Sequence, residues 1–212
     1  MLLMKVVFNF MWSSWLGARI GTALVFCSLL WASSASAQTA YYTPRTILSE
    51  FFPSSQAVTF QRFDLTSEQR ERLTAVLGYP PRKPNYTIYV AKTADKTDGY
   101  AIIDEEKGQH LPITFAVKFS AAGVVERQEL MVYRERYGDE IRDPRFRQQF
   151  VGKTAKSPIR EGEEIIAVSG ATISSRAMVI GVRRALVLLD ELVLKPAARQ
   201  PAGVAAKAIP AS

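Results

Sequence analysis

Cysteine and histidine are almost absent from this chain of 212 residues, which holds one of each, Cys27 and His110. Iron–sulfur clusters need about four thiolate ligands, and structural zinc sites take four ligands that are mostly Cys or His. An intramolecular disulfide needs two cysteines. These sites are therefore excluded, and no metal is expected. Any redox chemistry would have to use an organic cofactor.

Acidic residues are missing from the N-terminal region, where none precedes Glu50 while Lys5 and Arg19 supply positive charge. The apolar run at residues 20–31 is shorter than the roughly 20 residues that span a bilayer. Small residues at 35–37 (Ala-Ser-Ala) then offer a cleavage site. This order predicts a signal peptide at residues 1–37 and a periplasmic or otherwise extracytoplasmic protein. The alternative is an uncleaved segment that anchors the protein to the inner membrane.

The net charge of the full chain is +7, and its basic residues are interleaved with Asp and Glu. No basic stripe and no nucleic-acid-binding motif is present, so a nucleic-acid partner is not expected. An excess of this size favours solubility or attraction to an anionic membrane surface.

Short β-rich segments separated by turns every 8 to 12 residues, roughly, predict an antiparallel meander. The predicted strands cover residues 58–63, 86–91, 99–104, 111–119, 124–133 and 163–168. Helices are predicted before Pro53, from a Thr66 cap to Gly78, from Asp143, and over residues 173–194, where Pro196 ends the longest one. The expected fold class is α+β, with an antiparallel sheet packed against the long C-terminal helix and a small N-terminal helical module.

The predicted organisation has four parts. The signal peptide (1–37) is followed by a small N-terminal module and linker (38–84) and by the main domain (85–195). Residues 196–212 are rich in Ala and Pro and are predicted to form a disordered tail.

The segment at residues 164–176 carries the chemistry. It is predicted as a strand, a turn of small residues and a hydroxyl-rich helix start. A helix N-terminus leaves about four N–H groups unpaired, and its dipole favours negative charge, so a phosphate is a suitable ligand. Gly170 and Ala171 would let the backbone approach it. The hydroxyls nearby belong to Ser169, Thr172, Ser174 and Ser175. The competing interpretation is a helix capped by its own Ser or Thr.

Residues 169–175 (Ser-Gly-Ala-Thr-Ile-Ser-Ser) resemble the flavinylation motif of FMN-binding domains. Such domains occur in the C subunit of the sodium-translocating NADH:quinone reductase, the G subunit of Rnf-type complexes and small exported flavinylated electron carriers. Residues 99–117 resemble the family's opening hairpin. Residues 133–138 and 146–153 resemble its Glu-Thr-x-Gly loop and its Phe/Trp-x-x-Gln-Phe-x-Gly-Lys segment. The resemblance covers residues 99 to about 190.

This resemblance implies an electron carrier, more than a turnover enzyme, with FMN as cofactor. The phosphate of FMN would be joined to Thr172 by a phosphoester, made by a flavin transferase that uses FAD. Membrane-bound redox proteins would be the partners. No catalytic residues are expected, and the expected cofactor-binding residues are Thr172, Ser169, Gly170, Ala171, Ser174, Ser175, Glu135, Tyr133 and Thr114.

The chain departs from the family pattern at two positions. Ile166 stands where the motif usually has Asp, and Arg136 stands where the loop usually has Thr. Non-covalent FMN at the same site is therefore the alternative to the covalent bond. Aromatic candidates for the wall of the flavin site are Tyr133, Tyr137 and Phe146, and Arg134 or Arg136 is a candidate to stabilise a reduced, anionic flavin.

Two further function classes compete with this interpretation. A hydrolase would need a nucleophile and a base, but the chain has no Gly-x-Ser-x-Gly elbow, and His110 is its one imidazole. The other class is a non-catalytic binding module without bound flavin.

Overall fold

A computed structural model describes residues 38–199 of the chain. The predicted signal peptide at 1–37 lies outside the described residues, and so do residues 200–212 of the predicted tail. Within residues 38–199, no helix combines the length and the apolar character that a membrane span requires.

Within residues 38–199, six strands form one antiparallel sheet at the centre of the fold, in the order β1-β6-β5-β4-β3-β2. Its long strands are runs rich in β-branched and aromatic residues, which suit a pleated surface. The strands are β1 (Thr39–Ala40), β2 (Ala57–Asp64), β3 (Asn85–Thr93), β4 (Lys96–Lys107), β5 (Pro112–Ser120) and β6 (Val125–Tyr133). The meander predicted over residues 86–133 is confirmed.

The described part of the chain also forms five α-helices. They are α1 (Pro44–Phe51), α2 (Ser67–Leu77), α3 (Pro144–Gln148), α4 (Thr172–Leu189) and α5 (Lys195–Arg199). A 3₁₀ turn at Asp139–Arg142 precedes α3, and a π turn at Asp190–Leu194 joins α4 to α5. The α+β fold class is confirmed, with α4 as the long C-terminal helix.

The predicted limits of α2 are confirmed by its caps. The Thr66 hydroxyl accepts a hydrogen bond from the Gln69 N–H at 3.2 Å, and the Gln69 side chain accepts one from the Thr66 N–H at 2.9 Å. Gly78 ends the helix in the left-handed conformation that L side chains avoid.

The two faces of the sheet carry different helices, because successive side chains of a strand point to opposite faces. Ala101 packs with α1, whereas its neighbour Ile102 packs with α2 and α4. Residues 38–84 thus contribute a helix to each face, and β2 pairs along its whole length with β3. The predicted division between 38–84 and 85–195 stays a prediction.

Helix α4 lies close against the sheet at Gly181. A Cβ atom on Gly181 would lie 2.5 Å from Cζ of Phe115 on β5, a distance that real Cβ atoms do not reach. The ring of Phe115 is fully buried under this point of the helix. The missing side chain therefore sets the distance between α4 and the sheet.

A buried ionic network fixes α4 three residues further along. The guanidinium of Arg184, 1 % exposed, donates to Asp104 Oδ2 at 2.9 Å and pairs with Glu106, both on β4. Lys83 and Arg82 bind the same two carboxylates from the segment before β3. Burial alone would lower the pKa of Arg184, but the two carboxylates outweigh burial and raise it. The sequence did not predict this network.

The strand predicted at residues 163–168 was wrong. The N–H groups of Glu164 and Ile165 both donate to the Arg160 carbonyl, and the Gly162 N–H donates back to the Ile165 carbonyl. Residues 160–165 therefore form a closed turn whose backbone hydrogen bonds are local, and a single bridge between Glu161 and Ile165 is the sheet-like pairing in this turn.

The prediction that Pro196 ends the long helix was also wrong. The Lys195 N–H bonds the Asp190 carbonyl, five residues back, which widens one turn. Such a π turn accommodates Pro196, which has no N–H to donate and whose ring crowds the preceding turn. The helical path then continues through α5, up to the last described residue.

Arg184→Ala is expected to lower the free energy of unfolding by about 3 kcal/mol, because it removes the buried cation between two buried carboxylates. Arg183→Ala is the matched control, since Arg183 is exposed and donates one hydrogen bond to the Val76 carbonyl. It should cost less than about 1 kcal/mol. Urea denaturation measures both, and equal costs would contradict the structural role of the network.

Candidate functional site

The predicted site is the start of α4, and a tight turn leads into it. The Ala171 N–H donates to the Val168 carbonyl at 3.0 Å, and Gly170 has a φ of +82° at the third position of the turn. That conformation favours glycine. A Cβ on Gly170 would meet no atom within 4 Å, so the turn, and not packing, explains the glycine.

No side chain caps this helix. The N-cap residue is Ala171, whose methyl group has no hydrogen-bonding atom, and no side-chain cap bond is present. The first helical hydrogen bond runs from the Ser175 N–H to the Ala171 carbonyl at 2.8 Å. The N–H groups of residues 172–174 precede that bond. The interpretation as a helix capped by its own Ser or Thr therefore does not describe this N-terminus.

Thr172 is the first residue of α4, and its side chain is exposed to solvent. Ser169, in the preceding turn, is exposed as well. Neither hydroxyl has a hydrogen-bond partner among residues 38–199. Both hydroxyls therefore lie where a group from solution has access to them, beside the uncapped N–H groups.

The hydroxyls of Ser174 and Ser175 face the protein interior instead. Ser175 is fully buried and accepts a hydrogen bond from the Val168 N–H at 3.0 Å. The Ser174 hydroxyl lies 2.8 Å from the Tyr133 hydroxyl. These two side chains fasten the first turn of α4 to the preceding loop and to the end of β6. Their predicted contact with the cofactor stays a prediction.

Tyr133 joins three elements of the site. Its hydroxyl donates to the Tyr137 carbonyl in the loop after β6, next to its contact with Ser174. The ring is 3 % exposed, and burial raises the pKa of this phenol. Tyr133 therefore holds the loop after β6 against the start of α4.

Gly138 allows the loop to come this close. A Cβ at this position would lie 2.5 Å from the Tyr133 hydroxyl and 2.6 Å from the Ser174 hydroxyl. Any larger residue would therefore separate the loop from the helix start. These close contacts explain why the last position of the predicted Glu-Thr-x-Gly loop is a glycine.

Glu135 binds the turn between β4 and β5. Its carboxylate accepts hydrogen bonds from the N–H groups of His110 at 2.6 Å and Leu111 at 3.0 Å. Partial burial would raise the pKa of Glu135, but the Leu111 and His110 donors outweigh burial and lower it. His110 takes part through its backbone. The carboxylate thereby connects the hairpin to the loop at residues 134–138.

Thr114 lies on the other face of the sheet from α4. Its neighbours Ile113 and Phe115 both belong to the core under α4, so Thr114 points the opposite way. Its hydroxyl donates to Glu105 at 2.8 Å and accepts from Arg134 at 2.8 Å. The structure does not bring Thr114 to the helix start.

Three large apolar side chains near the helix start are exposed. Tyr137 is 75 % exposed, Ile166 is 73 % exposed and Ile173 is 50 % exposed. Phe146, a predicted candidate for the ring wall, is instead buried at the core, 5.4 Å from the ring of Phe150. We call Tyr137, Ile166 and Ile173 the apolar rim.

Gln149 holds the backbone of Ile166, one residue of the apolar rim. Gln149 was not predicted from the sequence as a site residue. Its side-chain amide accepts from the Ile166 N–H at 2.7 Å and donates to the Ile166 carbonyl at 3.1 Å. These two hydrogen bonds satisfy the Ile166 N–H and carbonyl, which a neighbouring strand would otherwise pair. The Gln-Phe of the Phe/Trp-x-x-Gln-Phe segment was the signal that could have located it.

Glu135→Gln is expected to lower the free energy of unfolding at pH 7 by about 1 kcal/mol, because it weakens charge-assisted hydrogen bonds. The folded pKa lies below the usual 4.5. The carboxylate's contribution to the free energy of unfolding is therefore complete above pH 4.5 and is lost as the pH falls through the folded pKa. Urea titrations from neutral to acidic pH should show the two proteins converging below pH 4.5. A constant difference across the range would contradict this role.

A comparison with known protein families gives a match that includes the start of α4. Residues 108–187 match the family model of the FMN-binding domain. No curated protein sequence matches the chain.

Two solved structures are similar in outline. NqrC of Shewanella oneidensis is 15 % identical, with 70 % of this chain and 87 % of that chain covered and a TM-score of 0.45. A Na(+)-translocating NADH-quinone reductase subunit of Parabacteroides distasonis is 14 % identical, with 72 % of this chain and 85 % of that chain covered and a TM-score of 0.44.

The residues at the start of α4 fit an FMN molecule. Uncapped N–H groups suit its phosphate, and the apolar rim offers a surface for its ring system. The matched range includes both the loop at 134–138 and the first turn of α4. Residues 108–187 are therefore similar to an FMN-binding domain, and FMN is the cofactor that this match indicates.

Proposed function

We propose that this protein is an exported electron carrier whose FMN is joined to Thr172 through a phosphoester. The observation that carries the proposal is the uncapped start of α4, where an exposed threonine hydroxyl stands beside N–H groups without a side-chain partner. A phosphodiester on Thr172 would place its negative charge at the positive end of the helix dipole.

The covalent step balances with FAD as the donor. The Thr172 hydroxyl oxygen forms a bond to the phosphorus on the riboflavin side of the pyrophosphate. The bond between that phosphorus and the bridging oxygen breaks, and AMP leaves. The proton of the hydroxyl passes to the medium, and no oxidant or reductant is consumed. A flavin transferase is the proposed catalyst, since the described site offers no base beside Thr172.

The remaining residues of the site hold and shield the cofactor. Flavin supplies the electron-accepting chemistry when bound. The apolar rim covers part of a flat, largely apolar ring and keeps water from it. Tyr133 and Gly138 hold the loop against the helix start, and Gln149 holds the Ile166 backbone.

Non-covalent FMN at this site is the second candidate. Ile166 supports it, because this position usually carries Asp in the motif that the chain resembles. The Ile166 side chain is exposed and apolar, so it offers a transferase no charge at that point. The uncapped N–H groups would bind the phosphate of free FMN in the same way.

The proposed location and partners follow from the N-terminal region and the cofactor. Residues 1–37 have the order of a signal peptide, so the carrier would work outside the cytoplasm. A tethered flavin at an exposed site exchanges electrons by contact with other proteins. Membrane-bound redox proteins are the partners we propose.

Thr172→Ala is expected to abolish covalent loading. The wild-type protein, exported from cells that contain an active flavin transferase, should have the mass of residues 38–212 plus one FMN less one water. Its yellow colour should survive denaturation. Thr172→Ala should have the unmodified mass, because the variant lacks the oxygen that attacks phosphorus. Intact-mass spectrometry and absorbance measure both.

Thr59→Ala is the matched control, since Thr59 is an exposed threonine on β2 that lies outside the site. It should load like the wild type. Colour that is lost on denaturation from the wild type would support the non-covalent candidate. An adduct of full mass on Thr172→Ala, or a colourless wild type of unmodified mass, would contradict the proposal.

A further inference from the structure

We infer that Arg136 raises the reduction potential of the flavin. Among the described residues of the site, Arg136 is the cation whose charge no carboxylate neutralises. This inference rests on the proposed function, because it concerns the same cofactor site. Arg136 occupies a position where the chain departs from the loop sequence that it otherwise resembles.

Arg136 stands in the loop that Tyr133 and Gly138 hold against α4. Its guanidinium lies 5.4 Å from the centre of the Tyr137 ring, in a cation–π arrangement. Tyr137 is the aromatic member of the apolar rim, and its carbonyl accepts the Tyr133 hydrogen bond. Arg136 thus lies beside the rim. Within residues 38–199 it has no ion pair.

The neighbouring cations are already neutralised. Arg134 interacts with Glu105 and Thr114, on the face of the sheet away from α4. Arg176, in the second turn of α4, pairs with Glu161 at 2.7 Å. Among the described residues of the loop at 134–138 and the first two turns of α4, Arg136 therefore carries the charge that remains uncompensated.

A nearby positive charge stabilises whichever state of the cofactor is more negative. Reduction adds negative charge to the flavin ring, so Arg136 raises the potential. Arg136 is exposed, and so its effect is screened by water and by salt. The effect should consequently be modest at low ionic strength and vanish at high ionic strength, whereas a change in ring packing would persist.

The test measures reduction potentials of the flavin-loaded full protein by titration against a dye of known potential. Arg136→Gln removes the charge and Arg136→Lys keeps it. Arg45→Gln removes an equal exposed charge from α1, on the other face of the sheet. At low salt, Arg136→Gln should lower the equilibrium constant for reduction about threefold per electron, while Arg136→Lys and Arg45→Gln stay near the wild-type value. At about 1 M salt the difference should disappear.

Three results would overturn the inference. The first is an unchanged potential in Arg136→Gln at low salt, with flavin content equal to that of the wild type; the proposed function then stands. The second is an equal shift in Arg45→Gln, which would assign the effect to net charge. The third is a wild-type protein that holds no flavin, which would refute the proposed function and this inference together.

Discussion

The close approach of α4 to the sheet is the constraint on which the site depends. Gly181 permits that approach, because any side chain there would collide with Phe115. Three residues later, Arg184 binds two buried carboxylates of β4, so the helix is fixed in both rotation and translation. A buried ionic network tolerates few alternative arrangements, since a displaced helix would leave charges unpaired. The direction in which α4 presents its N-terminus follows from these two contacts.

A second set of contacts fixes the start of α4, where the helix reaches the surface. Ser175 binds the loop before the helix, and Ser174 meets Tyr133, which also holds the loop after β6. These serines serve the fold with their side chains, while their backbone remains part of an uncapped helix start. The result is a helix start held by two side-chain contacts, with an exposed threonine and an apolar rim. A rigid first turn costs little ordering entropy when a phosphate binds, which is how preorganised sites gain affinity.

Much of the fold was predictable from the sequence, because its signals are local. Alternating apolar residues marked β3 to β6, and Thr66 and Gly78 marked both ends of α2. Two features that the sequence did not indicate depend on distant residues. Ile166 looked like a strand residue, but its partner is the side chain of Gln149. Arg184 looked like a polar residue on a helix, and nothing in its local sequence indicated that Asp104 and Glu106 would meet it. The motif located the site, but it did not reveal that two of its serines face inward and that Thr114 lies on the other face.

The central claim is that the N–H groups at the start of α4 bind the phosphate of FMN. Nuclear magnetic resonance of the ¹⁵N-labelled protein with and without loaded flavin tests it most directly. We predict that the amide signals of Thr172, Ile173 and Ser174 shift on loading and that their hydrogen exchange slows, since they gain acceptors. Amides at the start of α4 that keep their shifts and exchange rates in the flavin-loaded protein, while signals change elsewhere, would contradict it.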